Sequence, residues 1–126
     1  MSGLLFTLLI MCSSSVDGFP RELYQMEISG IWENVNSEDL GIIRIEISKQ
    51  EGNVKVFSKC HPRDCEWGTQ KIVKKGKVFE AIYKNRAAER TLGMRLLDGT
   101  TMELKETIIY QTKKKKVITY TLIKTR

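Results

Sequence analysis

One histidine, three cysteines and two tryptophans are all that the 126 residues supply of the side chains most used in metal and ligand chemistry. Structural zinc takes four N or S ligands, usually from two paired knuckles. Here His61 stands alone beside one close cysteine pair, Cys60 and Cys65, and no metal is expected. A single histidine also leaves no arguable Ser-His-Asp order, and there is no phosphate loop, dinucleotide fingerprint or zinc-protease helix. A reactive thiol of the Cys-x-x-Cys kind sits at a helix start, which lowers its pKa. The spacing of Cys60 and Cys65 is longer, and no helical pattern follows. No cofactor is expected, and the chain is not expected to be an enzyme.

A long apolar run is missing too. Leu4 to Met11 is apolar but spans eight residues, whereas a bilayer-spanning helix needs about 20. Eight is the length of the hydrophobic region of a secretory signal. The following Cys12-Ser13-Ser14-Ser15 resembles a lipoprotein signal, with Cys12 the candidate for lipidation and for peripheral membrane contact. Residues 1–18 are therefore read as a signal-like or lipoprotein-like segment, 19–27 as a linker and 28–126 as the folded domain. Secretion or the cell envelope is the expected location.

Charge is moderately one-sided, with 21 Lys and Arg against 15 Asp and Glu, a net +6. The first eighteen residues carry only Asp17, so the remainder of the chain is one unit more positive. This favours anionic partners without choosing among them.

Helical periodicity is absent from residue 28 onward, and period two takes its place. Ile43, Ile45 and Ile47 alternate with Arg44, Glu46 and Ser48; Val54 and Val56 flank Lys55; Leu92, Met94 and Leu96 keep one phase, as do Leu104 and Ile108. Ile, Val, Thr, Tyr and Phe dominate these runs, as suits a pleated, half-buried surface. Tight-turn signals at Glu51-Gly52-Asn53, Lys75-Gly76-Lys77 and Asp98-Gly99 separate them. Eight strands are predicted, at 28–35, 40–50, 53–59, 65–74, 77–84, 90–97, 100–112 and 116–124. No connection has room for a crossover helix, so neighbours are antiparallel. Closure removes exposed edges, and the predicted fold is all-β: an eight-stranded antiparallel up-and-down barrel, with a two-sheet sandwich as its rival.

"SGIWENV" opens the first strand, and Gly30-x-Trp32 with Asn34 resembles the start of calycin-type barrels, the lipocalins and avidins. The resemblance implies a basic residue near the chain end over Trp32, with Lys124 and Arg126 as candidates. Avidin biotin pockets use several tryptophans, so biotin binding is not carried over. Separately, C-x-P-x-D-C-x-W-G from Cys60 to Gly68 is similar to a motif of small secreted or membrane-anchored bacterial barrel proteins.

In such a barrel the tight hairpins share one rim, and Gly30-x-Trp32 would close that floor. Loops 36–40, 60–65, 85–90 and 113–116 share the other rim as a mouth. They carry His61, Arg63, Arg86, Arg90, Lys113, Lys114, Lys115 and Lys116, the candidate binding residues. In an exported protein Cys60 and Cys65 form a disulfide by default. Pro62 would order that turn, Asp64 would accept its N–H groups, and Trp67 would emerge beside a Gly68 that permits close packing. The functional reading is a binding module for a small anionic or apolar ligand. Alternatives are a protein-interaction or inhibitor module using the stapled loop, and an electrostatic nucleic-acid binder. Nucleic acid is disfavoured, because the lysines fall on opposite rims and exposed aromatics are few.

Overall fold

A computed structural model describes residues 28–36, 41–49 and 51–126. The signal-like segment, the linker, Cys12 and most of the 36–40 loop lie outside the described residues. Among the described residues nine strands form one antiparallel sheet: β1 Gly30–Asn34, β2 Ile42–Ile47, β3 Asn53–Ser58, β4 Cys65–Lys71, β5 Val73–Lys75, β6 Val78–Lys84, β7 Ala88–Leu96, β8 Thr101–Tyr110 and β9 Lys115–Lys124. Their spatial order is β4-β3-β2-β1-β9-β8-β7-β6-β5. The first strand thus pairs with the last, and the sheet curls into a nearly closed up-and-down barrel.

The ninth strand comes from a split. The predicted strand 65–74 breaks at Ile72, so β4 pairs with β3 while β5 pairs with β6. One continuous piece of chain therefore belongs to both ends of the sheet and closes the barrel. Over most of β4 no backbone ladder crosses to β6. There the Tyr83 hydroxyl spans the seam, 2.9 Å from the Gly68 carbonyl of β4 and 3.1 Å from that of Val54 on β3.

Two irregularities re-aim side chains. On β2 the register shifts between Ile42 and Arg44, leaving Ile43 as an extra residue. A bulge of this kind reverses the inward phase. Ile42, Ile45 and Ile47 consequently face the core, and the expectation that Ile43 does so is corrected. On β4, Lys55 pairs with Thr69 but Phe57 with Glu66, which places a bulge at Trp67-Gly68. Gly68 has φ +85°, and a Cβ there would meet nothing within 4 Å. Its value is the left-handed backbone that a bulge needs, not the close packing expected from the sequence.

Inside the barrel Trp32, Ile42, Ile45, Val54, Val56, Leu92, Met94, Met102, Leu104 and Leu122 are fully buried. Leu96 and Ile118 pack against them while partly exposed.

Candidate functional site

The two ends of the barrel differ in how they are filled. By strand direction, the connections after β1, β3, β6 and β8 lie at one rim, and those after β2, β5 and β7 at the other, as the sequence pattern predicts. At the loop-bearing rim the Cys60–Cys65 disulfide is formed, with Cα atoms 5.4 Å apart. His61, Pro62, Arg63 and Asp64 between them are all exposed. Arg86 lies in the turn where the Asn85 amide donates to the Ala88 carbonyl and the Gln111 amide to the Ala87 carbonyl. Lys113 to Lys116 are exposed, with Lys113 at φ 72° in the turn between β8 and β9. These residues share a rim, and none of them reaches the interior.

Arg90 does. It belongs to β7 rather than to the loop before it, and its phase is that of Leu92 and Met94. Its Nε donates to Glu106 Oε2 at 3.2 Å, and the Tyr120 hydroxyl donates to Glu106 Oε1 at 2.8 Å. Glu106 is 3% exposed, a carboxylate inside an apolar barrel. Such a group persists only when paired and hydrogen-bonded, and both conditions are met. The Arg90 guanidinium also lies 5.4 Å from the Trp67 ring, which meets Tyr83 edge-on at 5.5 Å. The Trp67 indole donates to Ser58 Oγ at 2.8 Å. Burial pushes the Tyr83 phenol up to about 12. Arg90, Glu106, Tyr120, Trp67 and Tyr83 thus stopper the interior beneath the loop rim. Glu106 was missed at the sequence level, although it breaks the phase of Met102, Leu104 and Ile108, which is the signal that marks it.

At the opposite end lies a cavity of about 550 Å³, lined by Ile28, Ile47, Ile72, Val73 and Phe79 with Ser48, Gly52, Gly76, Lys71 and Lys74. The sequence had cast this end as a closed floor. Its seal is one-sided: Trp32 is fully buried, its Nε1 donates to the Ile28 carbonyl at 2.9 Å, and Lys124 Nζ lies 5.7 Å from its ring centre. The basic residue expected over Trp32 is therefore Lys124. Gly30, at φ 129°, sits where a Cβ would run into the Arg126 carbonyl, so the first and last strands meet through its missing side chain. Asn34 Nδ2 donates to the Ile42 carbonyl at 2.8 Å, and its Oδ1 accepts from the Asn36 amide. The cavity forms where the chain leaves β4 for β5, because the short β5 leaves room between Ile47 and Phe79.

An up-and-down antiparallel barrel whose last strand returns to its first, with Gly-x-Trp at the opening and a lysine over that Trp, has the calycin-type fold. Among solved structures, an odorant-binding protein from bovine nasal mucosa shares it, with a TM-score of 0.52 and 13% identity over 80% of this chain and 73% of that one. At that identity the likeness concerns the fold alone. No family model matches the chain, and no curated protein matches it.

Proposed function

We propose that the chain is a non-enzymatic, exported barrel that holds one small, mainly apolar ligand in the cavity between Ile47, Ile72 and Phe79. The observation that carries this reading is the cavity itself. Its volume of about 550 Å³ falls inside the range of about 300–1,000 Å³ usual for small-molecule sites. Its walls are aliphatic and aromatic, with Lys71 and Lys74 as its charged residues. The neighbour's name says that it binds odorants, a class of small apolar compounds that such a cavity suits. Export is supported by the disulfide, a bond that persists in oxidising compartments, and by the apolar run before Cys12.

The test is a fluorescence titration with 1-aminoanthracene, a neutral apolar probe. Saturable one-site binding is expected. Val73 lines the cavity yet is 53% exposed, so Val73→Trp fills the space without disturbing the core. That variant should bind the probe at least about tenfold more weakly, the cost of losing roughly 1.4 kcal/mol of apolar contact, with an unchanged urea midpoint. Probe affinity unaltered by Val73→Trp would remove the cavity from consideration.

A further inference from the structure

We infer that the cavity's rim is a docking surface for an anionic phospholipid bilayer. Residues 67–79 carry four lysines, Lys71, Lys74, Lys75 and Lys77, and no acid. The whole of β5 is exposed, and so are Lys71, Gly76 and Lys77 around it. In the middle of the lysines stands Val73, 53% exposed and part of the cavity wall. The nearest acid along the chain on the far side of the turn, Glu80, is held by Lys75 at 3.1 Å, and with it included residues 67–80 still carry four lysines against one acid.

Three features select a bilayer over other polyanions. An exposed aliphatic side chain flanked along the chain by lysines suits a surface that is charged outside and apolar beneath. Base stacking would need exposed aromatics, whereas Phe79 is buried and Trp67 is engaged by Ser58, Tyr83 and Arg90. Lys71, Val73, Lys74 and Gly76 of the same segment also line the apolar cavity, so a docked barrel would present it to the membrane. That last point gives the docking its purpose and rests on the ligand reading; the docking itself is measured on ligand-free protein.

The experiment is co-sedimentation of the full chain with phosphatidylcholine vesicles, with and without roughly one-third phosphatidylglycerol. Binding is expected only to the anionic vesicles, weakening as salt screens the lysines. Lys75 and Lys77 do not line the cavity, and their exposure makes Lys75→Gln with Lys77→Gln a fold-neutral pair. At about a factor of five per lysine lost near an anionic surface, the partition coefficient should fall roughly thirtyfold. Lys114→Gln with Lys116→Gln, at the opposite rim, should change it by less than about threefold. The 1-aminoanthracene titration of the Lys75/Lys77 variant reads ligand binding separately. Equal losses from the two lysine pairs, or no preference for anionic vesicles, would overturn the proposal. Retention on heparin that depends on Lys75 and Lys77, without vesicle binding, would overturn it as well and assign the face to a soluble polyanion.

Discussion

Replacing Arg90 by Met removes the cation from a carboxylate that the barrel encloses. Glu106 would keep the Tyr120 hydroxyl at 2.8 Å but lose the guanidinium at 3.2 Å. Breaking a buried pair from one side costs about 3–5 kcal/mol, because the remaining charge is stranded. Arg90's side chain is 29% exposed and Tyr120 stays in place, so the low end applies, about 3 kcal/mol. A domain of this size has about 5–15 kcal/mol in total, so the variant folds but with a much lower urea midpoint. Glu106→Gln should cost less, about 1–2 kcal/mol, since the neutral amide still accepts from Tyr120 and the partly exposed guanidinium can turn to water. The double variant Arg90→Met with Glu106→Leu removes both charges and should lie within about 1 kcal/mol of the parent. Urea unfolding followed by tryptophan fluorescence, at constant m-value, measures all three. The reasoning is refuted if the double variant is as unstable as Arg90→Met alone, for then packing of the arginine stem, not charge, carries the loss.

Two further outcomes are expected. Tyr83 titrates near 12 in the fold against 10 when unfolded; both states hold the proton below pH 10, and above it the unfolded chain releases its proton first. Stability is therefore complete below pH 10 and falls by about 2–3 kcal/mol as pH rises through 12. Tyr83→Phe should lack that component and, by leaving the Gly68 and Val54 carbonyls without their donor, cost about 1–2 kcal/mol at neutral pH, both read by denaturant unfolding against pH. Replacing Cys60 and Cys65 by Ser should cost about 2 kcal/mol, the chain-entropy value for so short a loop, while 1-aminoanthracene binding stays unchanged because the loop is at the far rim from the cavity. Loss of probe binding in that double variant would move the ligand site to the loop rim.

Strand pairing was legible because alternation and turn residues are local signals. Gly52, Gly76 and Asp98-Gly99 mark the three tight connections, and Gly30-x-Trp32 marks where the chain end must return. What escaped depends on register. The extra residue at Ile43 and the bulge at Gly68 are choices of pairing, and nothing in the alternation of "GIIRIEIS" says which isoleucine is doubled. The break at Ile72 escaped for a related reason: "TQKIVKK" reads as one strand until two different neighbours compete for it. The sequence places Arg90 where the 85–90 loop meets the strand at 90–97, because it cannot show how far a ladder runs, and β7 in fact begins at Ala88. The cavity at Ile72 and Val73 follows from that same break, which the alternation does not show.

The polar groups inside the barrel are distributed unevenly between its two ends. An ion pair, two phenols and an indole fill the interior below the loop rim, and each of them is hydrogen-bonded. A ligand entering there would have to displace partners that Glu106 cannot lose cheaply. At the turn rim the enclosing groups are aliphatic, and Ile28, Ile47 and Phe79 surrender no hydrogen bond when they meet a guest. Entry is therefore cheapest where the strand breaks. His61 and the loop-rim cations Arg63, Arg86 and Lys113 to Lys116 face water, as the charged turns of small domains generally do. The same residue types at Lys75 and Lys77 differ in their company: an exposed valine and an apolar opening stand beside them, and that pairing, rather than the charge, is what carries the proposed lipid surface.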